Sequence, residues 1–173
     1  MNQAFVWIAA GALVAGCTAM SPMPAGPAAT TTLAPTQGNS AKGTVSFAQR
    51  GGKVVVVAKV SGLTPGSHGF HIHEKGDCSS ADAMSAGGHF NPTGKPHAHP
   101  STTERHAGDM PMLVADASGT ASLTTELDVI TIGSGATDIV GKAVIVHTDP
   151  DDFKTQPTGN AGGRVACGVI RRS

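Results

Sequence analysis

The strongest constraint on the fold is a pair of matched segments around one turn. Gly43 to Gln49 alternates apolar with polar residues, and Lys53 to Val60 carries the run Val54-Val55-Val56-Val57. Strand side chains alternate between two faces, so a period of two marks a half-buried strand. β-Branched residues favour the same state. Gly51-Gly52 supplies a turn between the segments. Together they predict a hairpin. Five more segments have strand character: Ser67 to Glu74, Met112 to Asp116, Thr120 to Leu127, Ile139 to His147 and Arg164 to Ile170. Val129 to Ile132 is a short addition, and Ala117-Ser118-Gly119 reads as the turn of a second hairpin. The chain also holds 23 Gly and 11 Pro in 173 residues, and both disfavour helix interiors. Many short strands joined by turns imply an all-β sandwich or barrel.

Two stretches, Lys75 to Met110 and Thr148 to Gly163, show little periodicity. Loops of that length in a compact domain are functional or disordered. These two carry most of the polar chemistry, so they are expected to be functional. Lys plus Arg is 12 and Asp plus Glu is 12. This balance gives no basis for nucleic-acid binding, which needs a basic excess. No apolar run reaches the roughly 18 residues that span a membrane.

The first 41 residues contain none of the 24 charged residues. Phe5 to Ala15 is apolar and of signal-peptide length, and it ends in Val14-Ala15-Gly16-Cys17. That ending resembles the lipobox of bacterial lipoproteins, in which the Cys becomes the lipidated first residue after cleavage. Residues 1–16 are therefore expected to be a lipoprotein signal peptide and Cys17 the lipidation site. Residues 17–41, rich in Pro, Ala and Thr, are expected to form a tether with too little apolar surface to fold. The folded domain is then expected to span 42–173.

Eight histidines against three cysteines point to nitrogen-ligated metal chemistry. His71 and His73 are two apart in a predicted strand, so their imidazoles share a face. His89, His97, His106 and Asp109 follow in one long loop, and His147 ends an apolar strand. Seven nitrogen and carboxylate donors with no Cys among them suit copper and zinc better than an iron–sulfur cluster.

At this point the sequence resembles the copper/zinc superoxide dismutases through several independent motifs. Gly69-Phe-His-Ile-His-Glu74 is similar to the family's G-F-H-x-H-E, and Gly87-Gly-His-Phe-Asn-Pro92 to its G-x-H-F-N-P. His97 follows His89 by eight residues and His106 follows His97 by nine, the family spacing. Arg105-His-Ala-Gly-Asp109 resembles R-H-x-G-D, and Gly159 to Ile170 resembles the C-terminal signature. Cys78 lies five residues after His73 and eleven before His89, a layout closer to the bacterial members.

The resemblance implies a Greek-key β-sandwich or flattened barrel, immunoglobulin-like, with two long functional loops. It implies copper on His71, His73, His89 and His147, and zinc on His89, His97, His106 and Asp109. His89 would bridge the two metals. Spacing favours His97 over His99 as the ligand, and His68 falls outside both sets. Asp151, four residues after His147, would link a copper histidine to a zinc histidine. Cys78 and Cys167 would form a disulfide. Arg164 would bind the substrate anion, and His89 would carry a proton during a copper redox cycle. The implied activity is dismutation of superoxide to dioxygen and hydrogen peroxide, with protection of the cell envelope. The expected location is a bacterial membrane facing the periplasm, through a lipid on Cys17, with a soluble periplasmic form as the alternative. A homodimer is compatible with the resemblance.

Overall fold

A computed structural model describes residues 26–173. Among these residues ten strands run in chain order: β1 (Ala28–Pro35), β2 (Lys42–Arg50), β3 (Lys53–Ser61), β4 (Gly66–His68), β5 (Phe70–His73), β6 (Leu113–Ala115), β7 (Ala121–Leu127), β8 (Ala143–His147), β9 (Arg164–Val169) and β10 (Arg171–Arg172). Among the described residues there is one turn of 3-10 helix, Met84–Ala86, and no α-helix. The main sheet is antiparallel in the order β5-β8-β9-β1-β2-β3-β7, with β10 added to β1. It curls around one core that includes Leu33, Phe47, Val54, Phe70, Ile72, Leu113 and Leu127. The architecture is thus a half-barrel of antiparallel strands, as the all-β reading requires.

The β2–β3 hairpin pairs Arg50 with Lys53 across Gly51-Gly52, where Gly51 has φ +57°. A left-handed turn residue of this kind is cheapest as glycine. Val54, Val56, Ala58 and Val60 face the core while their neighbours face outward, the period of two expected of a half-buried strand.

Three expectations need correction. The stretch 17–41 is not all tether. Ala28–Pro35 forms β1, which pairs with β2, β9 and β10 and sits in the middle of the sheet. Its Pro/Ala-rich composition hides an alternation in which Ala29, Thr31 and Leu33 point inward, each under 4% exposed. Ala41 is buried as well, so the folded domain reaches back well before residue 42. Ser67 to Glu74 is two strands rather than one, broken at Gly69. A Cβ there would sit 2.7 Å from the Ala161 Cβ and 3.3 Å from the His147 Cβ, so only glycine lets β4 turn into β5 beside the loop. Finally, β6 and β7 do not form a hairpin ladder. β6 pairs with β4 in a separate two-stranded sheet, although Asp116 and Thr120 still close the turn between β6 and β7. The signal-peptide and lipobox expectations, with Cys17, fall on residues 1–25, outside the described residues.

Candidate metal centre

The sheet places three of the histidines directly. β5 alternates Phe70 and Ile72 toward the core with His71 and His73 toward the opposite face. β8 pairs with it so that Val144 and Val146 join the core, while Ala143 and Ile145 lie across from His73 and His71. His147 has the parity of Ala143 and Ile145, which brings it to the histidine side. β9 then carries an irregularity: Val146 pairs with Ala166, but His147 pairs with Arg164. A bulge of this kind turns a side chain onto a face that strict alternation denies it. Without it, Val165 would stand opposite His147.

The remaining donors come from the first loop, and the structure gathers all seven into two groups. His71, His73, His89 and His147 form one; His89, His97, His106 and Asp109 form the other. Within each group the ligand atoms lie within 4.8 Å of one another, and every residue is buried. His89 belongs to both.

Hydrogen bonds fix which ring nitrogen each histidine has free. His71 Nε2 donates to Asp151 Oδ2 at 2.7 Å, His73 Nδ1 to the Gly87 carbonyl at 2.9 Å and His147 Nδ1 to the Gly162 carbonyl at 3.3 Å. Their other nitrogens therefore carry lone pairs. His73 Nε2 and His147 Nε2 stand 3.4 Å apart, while His71 Nδ1 and His89 Nε2 are buried with no hydrogen-bond partner. Buried polar atoms are almost always satisfied, so converging bare nitrogens fit a cation between them. In the second group Asp109 Oδ1 meets Nδ1 of His97 at 2.9 Å, of His89 at 3.1 Å and of His106 at 3.4 Å. Asp109 Oδ2 accepts the backbone N–H groups of Ala98 and His106, each at 3.1 Å, which fixes the carboxylate. Three imidazoles and one carboxylate match the four-coordinate habit of zinc, and a set of four imidazoles suits copper.

Asp151 joins the two groups. Besides His71, its Oδ1 accepts from His97 Nε2 at 2.9 Å. Its neighbours do other work: Asp152 caps a turn through Lys154 and Thr155, and the Asp149 carbonyl accepts from Gly69. Gly159 packs so tightly here that a Cβ would collide with Asp151 Oδ1 and His97 Nε2.

Burial is the chief reason the first group stays neutral. It lowers His71 and His73, takes His89 down to about 4 and takes His147 down to about 3. Neutral imidazole is the form that ligates a metal. For His97 burial also opposes the charge, but its bonds to Asp109 and Asp151 outweigh it and raise the ring to about 9. Burial likewise opposes ionisation of Asp109 and Asp151, yet their histidine partners hold both well below the usual carboxylate range.

Arg164 donates to the carbonyls of Ala83 and Gly87, both at 2.7 Å. Its hydrogen bonds go to carbonyls rather than to a carboxylate, and the nearby Asp82 carboxylate offsets part of its charge. Gly87 also receives His73, which ties the guanidinium to the first group. The positive charge contributes to lowering His73 and His147, behind burial and neighbouring imidazoles. These backbone anchors carry no residue-type signal, so sequence reading missed them; Ala83 is held at φ +59°. Cys78 and Cys167 are joined as a disulfide with Cα atoms 5.8 Å apart. His99 is exposed and bonds Ser101, and His68 sits between the His147 and Thr64 carbonyls at 2.8 Å each; neither belongs to a donor group.

The family model for copper/zinc superoxide dismutase (SODC) matches residues 41–170. A curated relative, "Superoxide dismutase [Cu-Zn] 2" of Brassica juncea, is 50% identical over 136 residues, covering 75% of this chain and 88% of the relative. Among solved structures, that of the clock protein EA4 aligns with a TM-score of 0.76 at 42% identity, covering 83% of this chain and 93% of that one. The chain belongs to the copper/zinc superoxide dismutase family, an enzyme family whose two metals suit the two donor groups that share His89.

Proposed function

We propose that the protein dismutates superoxide at a copper held by His71, His73, His89 and His147, beside a zinc held by His89, His97, His106 and Asp109. The observation that carries this reading is the sharing of His89 by two buried donor groups. Two superoxide anions and two protons become one dioxygen and one hydrogen peroxide. Copper, when bound, supplies a one-electron couple for both halves of that reaction, and zinc supplies a fixed charge on the shared imidazole. Arg164 draws the anion toward the copper group and orients it with paired donors. His89 carries a proton at Nε2, the buried atom that has no protein partner. Asp151 keeps the His71 and His97 rings in register by bonding one oxygen to each. The test is metal content with activity: the reading expects one copper and one zinc per chain and dismutation that cyanide inhibits. Loading with both metals and no activity would reject it.

Arg164→Ala is expected to lower activity roughly ten- to hundred-fold while both metals stay bound. A charge–anion contact is worth about 1.5–3 kcal/mol, and each 1.4 kcal/mol is about tenfold in rate. Arg164→Lys should be milder, because the charge survives and only the planar donor pair is lost. The Ala variant should also respond less to ionic strength. Full activity in a metal-replete variant would assign the guiding role to Lys75, Lys95 or Lys154 instead. Of these, Lys95 already pairs with Glu104 at 3.2 Å.

We further propose that the chain is of the bacterial envelope type, anchored by a lipid on Cys17 and facing the periplasm, where it protects the envelope from superoxide. The charge-free first 41 residues and the Val14-Ala15-Gly16-Cys17 ending support this. The disulfide supports it too, because such bonds persist in oxidising compartments. Cys17→Ser should move the protein from the membrane to the soluble fraction with unchanged specific activity. A wild-type chain that is already soluble and carries no lipid by mass spectrometry would reject the anchor.

A further inference from the structure

His97 differs from the strand-borne histidines in its support. It is 2% exposed, yet it lies in the long first loop, outside every strand. The sheet therefore does not hold it, and what does is a segment of the second loop. The His97 N–H donates to Gln156 Oε1 at 2.8 Å, and Gln156 Nε2 donates to the His97 carbonyl at 2.7 Å. One side-chain amide thus gives His97 the paired donor and acceptor that a neighbouring strand would supply.

Phe153 completes the grip. Its ring lies 16° from parallel to the His97 imidazole at 6.3 Å between centroids, and it meets His99 edge-on at 4.6 Å. Its backbone is held at φ +55°, a conformation that bulky residues rarely adopt. In that conformation the Phe153 N–H donates to Asp151 Oδ1 at 2.7 Å, the oxygen that also receives His97 Nε2. The same residue packs beside the His97 ring and steadies the carboxylate that holds it.

We propose that Gln156 and Phe153 are positioning residues for zinc: a strap from the Thr148–Gly163 loop that holds His97, so that zinc retention depends on them while copper retention does not. The proposal rests on the reading above in which His97 is a zinc donor. It explains why a loop without regular structure keeps a buried donor in place.

The test is zinc release from the copper- and zinc-loaded protein to an excess of a chromophoric chelator. It is paired with the visible spectrum of cobalt(II) substituted for zinc, which reports donor geometry independently of activity. Gln156 is exposed, so Gln156→Ala is expected to fold normally. It should release zinc about ten- to hundred-fold faster, the usual effect of removing an outer partner of a ligand. Copper content should not change, and the cobalt spectrum should shift. Phe153→Gly accepts the left-handed backbone and removes only the ring, and it should also release zinc faster. Phe153→Tyr keeps the ring and should behave as the wild type. Wild-type zinc release and an unshifted cobalt spectrum in both Gln156→Ala and Phe153→Gly would overturn the strap. A wild-type protein that takes up no zinc would instead overturn the functional reading on which the strap depends.

Discussion

His147→Ala should leave activity no higher than that of the metal-free protein while zinc occupancy stays near that of the wild type. His147 sits in one donor group only and is absent from the group of His89, His97, His106 and Asp109. Its main-chain bonds do not involve the ring. The N–H donates to the Gly69 carbonyl at 2.9 Å, and its carbonyl meets His68 Nδ1 at 2.8 Å. Alanine keeps both, so β8 and its pairing with β5 should persist. What disappears is one of the converging bare nitrogens, the atom proposed as a copper donor. Metal analysis of the folded variant checks the split. Joint loss of copper and zinc would contradict the assignment of His147 to copper alone.

Cys78→Ser should lower the stability of the metal-free protein by roughly 4–5 kcal/mol, the loop-closure entropy of a span this long. The disulfide closes a sequence separation of 89 residues. For a domain of this size the loss corresponds to a fall of roughly 10–15 °C in the thermal midpoint. Activity should fall as well. The bridge fastens the segment that carries the Ala83 and Gly87 carbonyls to β9, the strand that begins at Arg164. It also packs against a small cluster of Ala83, Ala86, Ala143 and Ile145. Releasing one end frees both partners of the guanidinium. Matched melting curves of wild type and variant, each stripped of metal, measure the effect. A midpoint within a few degrees of the wild type would show that the loop is held by other contacts.

The sequence exposed some of these features and concealed others, for identifiable physical reasons. The β2–β3 hairpin was legible because its alternation is strict and its glycine turn is explicit. β1 was not, because its inward residues Ala29 and Thr31 are small and share a segment with Pro27 and Pro35. Composition there points to a linker, and the alternation of Ala29, Thr31 and Leu33 is plain only once the strand is seen in the sheet. The break at Gly69 was hidden for a different reason: it depends on Ala161 and His147, which are remote in sequence. The donors themselves were readable from spacing and family motif, since each is a residue type with a lone pair to offer. Their supports were not. The carbonyls of Ala83 and Gly87, the bulge that turns Arg164 inward and the amide of Gln156 all arise from tertiary placement. Asp151 was picked out by its spacing from His147 through the family resemblance, and its two histidine partners set it apart from Asp149 and Asp152.

The central claim is that two buried donor groups sharing His89 make this chain a dismutase. The most direct measurement is the decay of superoxide generated in a pulse, followed with protein carrying copper and zinc and with the same protein stripped of metal. The account predicts rapid catalysed decay that scales with copper content, is inhibited by cyanide and vanishes in the stripped protein. Decay no faster than the spontaneous reaction, in protein shown to hold both metals, would contradict it and leave a metal-binding module on this fold.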